Sequence, residues 1–187
     1  MLKIDIDTKQ FAVLGSKLAR FGEQTRAKAI GRGLSKVMKQ AQTQAKREIT
    51  SEYNVKSGEV GKRLGVRLQA KGMQAVLFAK ARARNRIPLV EFAAKATKRN
   101  GVRFKVRKTA GRGQLRHAFI ATMKSGKTGV FMRVPGTRKI KQVVGVDITH
   151  MFAGKRVRPA VMKSINDNVA RVVTHEMEFE LRRLGFR

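Results

Sequence analysis

Apolar side chains recur every three or four residues between positions 23 and 52, and this spacing predicts one long amphipathic helix. A helix of about 28 residues spans roughly 40 Å at 1.5 Å per residue, and its apolar stripe has to pack on another element. Gly31 and Gly33 lie inside the pattern and indicate either a close approach of another backbone or a break. The apolar positions are Ile30, Leu34, Val37, Ala41, Ala45 and Ile49.

A second long helix is predicted over about residues 158–184, where Val161, Ile165 and Val169 begin a similar apolar face. Acidic residues cluster toward its end, against the helix dipole, in a chain that is otherwise basic. Such a cluster either docks onto a basic surface of a neighbouring copy or is simply exposed to solvent. The candidate subunit-contact residues are Asp167, Glu176, Glu178 and Glu180.

The remaining elements complete a mixed pattern. Residues 2–7 alternate between apolar and charged side chains, as a half-buried strand does, and a shorter helix follows from Thr8 to about Phe21. Ser57 begins one short helical turn. The order predicts a single α+β domain over residues 1–187, an antiparallel sheet or meander packed by two long helices and a shorter N-terminal one. Further strands are predicted at residues 65–71, 74–82, 117–123, 129–134 and 140–148.

Residues 80–116 differ in character from the rest of the chain, because they contain thirteen Lys and Arg residues and one acid, Glu91. Glycines at positions 101, 111 and 113 punctuate this stretch. We predict weak strands near 87–92 and 102–108 around a mobile loop. This basic extended segment is expected to become ordered in an assembly.

The net charge of +31, from 43 Lys and Arg against 12 Asp and Glu, predicts a polyanionic partner, and nucleic acid is the obvious one. A basic surface that merely aids solubility is the alternative. With no Trp and one Tyr, the chain supplies few stacking platforms, so backbone contact with duplex DNA is favoured over base reading. The candidate DNA-binding residues are Arg82, Arg84, Arg86, Lys98, Arg99, Arg103, Lys105, Arg107, Lys108 and Arg112.

Catalytic and metal-binding patterns are missing from the sequence. His117, His150 and His175 follow no ligand spacing, and the acids form no convergent set of the kind a metal-dependent nuclease needs. Ser125-Gly126-Lys127-Thr128 resembles part of a phosphate loop, but it lies between strands and is predicted to be a hairpin turn. The chain has no cysteine and no apolar run long enough to span a bilayer. We therefore expect no enzyme activity, no metal, no cofactor and no membrane contact.

The second half of the chain presents its segments in a recognisable order. A long basic middle runs into His117-Ala118-Phe119-Ile120, and a turn with Lys124-Ser125-Gly126 follows. Val130-Phe131-Met132-Arg133-Val134 and Val143-Val144-Gly145-Val146-Asp147-Ile148 then precede a long helix with a basic C-terminus. This order resembles the minor tail protein Z family of lambda-like phages and prophages, although Val143-Val144 stands where the family has Pro-Ile. The first half fits that family by organisation.

The resemblance implies a structural virion protein of a tailed phage, a tail-completion or head–tail joining component at the neck. Proteins of this kind form rings, usually sixfold, around the DNA channel. The implied partners are further copies in a hexameric ring, tail terminator, tail tube and connector proteins, and packaged double-stranded DNA. The implied location is the virion, with the host cytoplasm during assembly, and no catalytic residue comes with the family.

The composition leaves a second interpretation open, a sequence-nonspecific nucleic-acid-binding protein that is not part of a virion. A nuclease is the third interpretation, and the scattered carboxylates argue against it.

Overall fold

The structure is a computed structural model, and it describes residues 16, 19–20, 22–69, 74–80, 86–98 and 100–185. The chain divides into two compact units. The helical unit comprises Met1–Ala45, Leu64–Lys80 and Lys155–Arg187, and the strand unit comprises Lys46–Arg63 and Ala81–Gly154. The strand predicted at residues 2–7 and most of the helix predicted at 8–21 lie outside the described residues. The assignment of residues 1–187 to a single domain stays a prediction.

Helix α1 (Glu23–Glu52) has the bounds that its apolar spacing predicted. Within the helical unit, the side chains of Ile30, Leu34 and Val37 on its apolar face are at most 2% exposed. Helix α4 (Val157–Arg183) contributes the facing apolar stripe and lies one residue from the predicted bounds at each end. In the described part of the chain, no helix is both long and apolar enough to cross a membrane.

Gly33 is a point of close approach between α1 and α4. A Cβ atom built at Gly33 would lie 2.9 Å from the Cα of Val173, closer than real Cβ atoms come to a backbone carbon. The glycine therefore permits close packing inside an unbroken helix. Of the two interpretations of this position, a close backbone approach is observed and a helix break is not.

A β-hairpin completes the helical unit. Strand β1 (Leu64–Gln69) pairs antiparallel with β2 (Gln74–Ala79), in the register Leu64 opposite Ala79. Ala75, Val76 and Leu77 of β2 are buried. The side-chain amide of Gln42 on α1 donates to the Leu64 carbonyl over 3.2 Å and so ties the hairpin to the helix. Both strands were predicted, and residues 70–73 between them lie outside the described residues.

The strand unit begins with the last turns of α1 and the short helix α2 (Ser57–Arg63), which the sequence predicted at Ser57. Strand β3 (Arg86–Pro88) leads into a 3₁₀ turn (Leu89–Glu91), where a strand near 87–92 was expected. Strands β4 (Lys95–Thr97), β5 (Gly101–Phe104) and β6 (Gly113–Leu115) form a three-stranded antiparallel sheet.

This sheet lies within the stretch predicted as an extended basic segment with weak strands. The strand expected over 102–108 is present as β5 and ends at Phe104, while β4 and β6 were not predicted. Runs of three or four residues are too short to show the alternation of a strand. In addition, a polar residue stands first in β4 (Lys95) and in the centre of β6 (Gln114).

The predicted meander is confirmed. Strands β7 (Ala118–Thr122), β8 (Thr128–Arg133) and β9 (Ile140–Gln142) pair in order, antiparallel. The last predicted strand, 140–148, is split: β10 (Val144–Asp147) leaves the meander and pairs with β3. Asp147 then caps helix α3 (Ile148–Phe152), since its carboxylate accepts a hydrogen bond from the Thr149 amide over 3.0 Å.

The core of the strand unit contains Ile87, Phe92, Val102, Val130 and Ile148, and each of these side chains is fully buried. They come from β3, the end of the 3₁₀ turn, both three-stranded sheets and α3, so short elements from distant parts of the sequence share one apolar centre. The predicted fold class, α+β with antiparallel sheets and long helices, is confirmed.

Candidate nucleic-acid interface

The outer face of the β4–β5–β6 sheet carries opposed positive charges. Lys95 on β4 lies directly opposite Arg103 on β5, and Gln114 of β6 lies opposite Arg103 on its other side. Residues that face each other across an antiparallel pair project from the same side of the sheet, and all three side chains are exposed. Like charges in this position destabilise a sheet, so an anion bound over this face would relieve a repulsion.

Other predicted DNA-binding residues are distributed around this sheet. Lys98 lies in the β4–β5 turn and Arg112 just before β6, and both side chains are exposed. Lys108 is also exposed and Lys105 is half-buried, with its amide donating to the Phe92 carbonyl over 2.9 Å.

Arg86 belongs to a different sheet, because it lies on β3 opposite Asp147 of β10. Its charge therefore has an acidic residue across the strand pair, unlike that of Arg103. Arg82, Arg84 and Arg99 lie outside the described residues.

Arg107 is held by contacts within the strand unit. Its guanidinium lies 5.5 Å from the centroid of the Tyr53 ring, donates to the Tyr53 hydroxyl over 3.4 Å, and lies 3.6 Å from a Glu52 carboxylate oxygen. The hydrogen bond to Tyr53, helped by the charge of Glu52, raises the pKa of Arg107 above its ordinary value. Backbone bonds from Asn54 to Val106 and from Lys108 to Glu52 fix the same two segments side by side. Arg107 thus closes the β5–β6 connection onto the end of α1.

Positive charge continues beyond the residues chosen from the sequence. Between positions 81 and 146 the chain has eighteen Lys and Arg residues and one acid, Glu91. Sequence reasoning missed Lys95, because its importance depends on its register with Arg103. It also passed over the basic residues of the meander, although the lack of acids there was a usable signal. The exposed ones are Lys124, Lys127, Arg133, Arg138, Lys139 and Lys141.

The acidic cluster of α4 has partners in its own chain. Glu180 is fully buried and forms ion pairs with Arg32 and, over 2.5 Å, with Arg183. Glu176 is also buried, and Lys36 lies 2.5 Å from one of its oxygens. Burial alone would raise the pKa of Glu180, but the hydrogen bonds and charges of Arg32 and Arg183 outweigh it and lower that pKa.

These pairs account for Glu176 and Glu180 without a second subunit. Asp167 and Glu178 are exposed, and Glu178 lies 3.7 Å from Arg182 one turn further along α4. Subunit contact stays a prediction for all four acids.

The residues considered for chemistry are scattered. His117, His150 and His175 are all exposed, and no cluster of metal-binding side chains occurs among the residues that the structure describes. Ser125 to Thr128 form the β7–β8 hairpin turn, with Gly126 at a φ of 76° and its amide bonded to the Met123 carbonyl. A cavity of about 310 Å³ in the strand unit is lined by apolar side chains with Arg107 and His150, and none of the lining residues is acidic.

The comparison with protein families decides which family the chain belongs to. The family model described as prophage minor tail protein Z matches residues 16–186. The chain belongs to the prophage minor tail protein Z family. No curated protein and no solved structure matches the chain.

Membership in the minor tail protein Z family confirms the resemblance found in the second half and extends it over both units. The family is one of structural phage proteins, so this member is a component of a phage tail and contacts other tail components. The basic sheet and the meander therefore belong to a virion protein.

Proposed function

We propose that this minor tail protein completes the tail at the head–tail junction, as a homo-oligomeric ring around the channel that the packaged double-stranded DNA enters. The observation that carries the proposal is the exposed face of the β4–β5–β6 sheet, where Lys95 and Arg103 lie opposite each other without an acid beside them. A hexamer of a +31 chain would carry on the order of +190 before counter-ions, a field strong enough to attract the end of a genome.

The aromatic residues favour contact with the DNA backbone. Tyr53 is 1% exposed and is covered by Arg107, and Phe92 is fully buried. Phe104 lies over Gly113, since a Cβ at that glycine would come within 2.6 Å of the ring. In the absence of an exposed aromatic platform among these residues, unpaired bases have little to stack on, and Lys and Arg contacts to phosphates supply the affinity. Such contacts suit a channel through which any genome sequence must pass.

The proposal is tested by the salt dependence of duplex binding. We expect the variant Lys95→Gln with Arg103→Gln to bind duplex DNA more weakly and to flatten the slope of log K against log salt by about 2, because each lost phosphate contact contributes about 0.9. Fluorescence anisotropy with a labelled duplex at several salt concentrations measures this slope.

The matched control removes two exposed lysines of the helical unit, Lys155→Gln with Lys163→Gln, and changes the net charge equally. We expect the control to keep the parent slope. Equal slopes for the parent and the Lys95 and Arg103 variant would contradict the DNA-facing role of this sheet.

A further inference from the structure

The outer edge of β9 has backbone groups that no other described residue pairs with. Hydrogen bonds from Val134 to Lys139 and from Val143 to Val130 identify the bonded rungs between β8 and β9. Because bonded and non-bonded rungs alternate in an antiparallel ladder, the N–H and C=O groups of Ile140 and Gln142 point away from β8. No hydrogen bond among the described residues uses these outward groups. Within the part of the chain that the structure describes, β9 is thus an edge strand with two rungs available.

Exposed apolar side chains lie on β9 and close to it in the sequence. Five large hydrophobic side chains in the described part of the chain are at least 36% exposed, and three of them, Val134, Ile140 and Val144, lie next to or on β9. Duplex DNA presents phosphates and offers little to aliphatic side chains, so these residues favour a protein partner. An added β-strand would use both the free backbone groups and the exposed aliphatic side chains.

The charges around β9 select the chemistry of that strand. Lys139 and Lys141 alternate with Ile140, and all three side chains are exposed. The complementary strand alternates between aliphatic and acidic residues. In this sequence Ile4-Asp5-Ile6-Asp7 has that alternation, preceded by Leu2 and the basic residue Lys3. Among the described strands, β10 also contains an acid, Asp147, but its carboxylate already accepts the hydrogen bond that caps α3.

We propose that β9 is the docking edge for residues 2–7 of a second copy of this chain. Ile4 and Ile6 would lie beside Ile140, and Asp5 and Asp7 beside Lys139 and Lys141. Each copy gives a strand at one place and receives one at another, so successive copies join head-to-tail, the type of contact from which closed rings are built when the rotation between copies closes. The inference rests on the proposed ring and supplies its linkage.

The first experiment measures the mass of the full chain by light scattering at about 0.3 M salt, where long-range repulsion is screened. Gln142→Pro removes an outward N–H without removing a bond to β8, and it blocks strand addition. We expect the parent to form a closed oligomer and the Gln142→Pro variant to be a monomer that still binds duplex DNA through Lys95 and Arg103. A parent that stays monomeric, or a Gln142→Pro variant with the parent mass, would overturn the proposal.

Charge exchange keeps the test decisive should the proline variant fail to fold. Asp5→Lys with Asp7→Lys, and separately Lys139→Glu with Lys141→Glu, should each reduce the oligomer to monomers. The two pairs combined should restore it. Lys124→Glu with Lys127→Glu, the same charge change in the β7–β8 turn, should leave the mass unchanged. Failure of the combined variant to restore the mass would refute the pairing.

A peptide of residues 1–8 gives a direct measure of docking. The receiving protein is the Asp5→Lys with Asp7→Lys variant, whose β9 edge is not occupied by a neighbouring copy. We expect the fluorescently labelled peptide to bind it about tenfold more tightly than a peptide of the same composition without the alternation, and added Gln142→Pro to abolish the difference. Loss of DNA binding in Gln142→Pro with the peptide still bound would assign β9 to DNA and overturn the inference. The Lys95 and Arg103 variant should keep the parent mass, so the ring and the DNA contact can fail independently.

Discussion

Glu180 shows how a basic chain uses a rare acid. Its side chain is fully buried, and Arg32 approaches it from α1 while Arg183 approaches it from α4 itself. Arg32 also lies 3.7 Å from Glu176 and 5.9 Å from the ring of Phe179. A buried carboxylate is tolerated when its charge is paired and hydrogen-bonded. Arg32 of α1 therefore joins the two long helices through its ion pairs with Glu176 and Glu180 of α4.

Replacing Arg32 should cost more stability than replacing Arg183. Arg32→Ala leaves Glu180 with one partner and Glu176 with Lys36 alone, so we expect a loss of about 1.5–3 kcal/mol, the range for hydrogen bonds to charged groups. Arg183 is 57% exposed on its side chain, and solvent screens its pair, so Arg183→Ala should cost about 0–1 kcal/mol. Urea unfolding of both variants measures the difference, and equal losses would contradict the central place of Arg32.

The same carboxylate makes stability depend on pH in the acid range. The pKa of Glu180 is lowered in the folded chain from its ordinary value of 4.5. Its contribution is therefore fully present above pH 4.5 and is lost as pH falls through the lower, folded value. We expect Glu180→Gln to be less stable than the parent at neutral pH and to converge with it below pH 4.5 in thermal unfolding. A constant gap across this range would show that Glu180 is not ionised in the folded chain.

At the scale of elements, long helices could be predicted from the sequence, whereas short strands and pairings between distant strands could not. The 3.6-residue periodicity of α1 runs through thirty residues, so the bounds of the helix could be read from the sequence. The three-residue strands β4 and β6 offered no such signal. The pairing of β3 with β10 joins residues about sixty positions apart in sequence, and no local pattern encodes it.

For the candidate nucleic-acid interface too, the sequence predicted some features and not others. The abundance of Lys and Arg was visible in the sequence, but the face shared by Lys95 and Arg103 depends on register between two short strands. Glu176 and Glu180 were assigned to a subunit contact because their partners, Lys36 and Arg32, lie 140 and 148 residues earlier. The polyanionic partner indicated by composition stays a prediction, and tertiary pairing decides which charges remain available to such a partner.

At the scale of the whole molecule, the charge of +31 opposes assembly of the ring that the proposed function requires. Copies of a like-charged chain repel one another over a Debye length, which is about 30 Å at 0.01 M salt and about 8 Å at 0.15 M. A polyanion in the channel would neutralise the inner face of every copy at once. DNA would then act as a structural ligand of the ring as well as its cargo.

We therefore expect assembly to depend on polyanions at low salt. At about 0.01 M salt the protein should be monomeric by light scattering, and a duplex of about 20 base pairs should shift it to the ring, because the phosphates replace the missing counter-ions. Polyphosphate of equal charge should act similarly, since the effect is independent of base sequence. With Lys95→Gln and Arg103→Gln, more duplex should be needed to reach the same mass. A ring that is stable at low salt without any polyanion would contradict this expectation. Subunit contacts alone would then outweigh the repulsion, and DNA would not contribute to the stability of the ring.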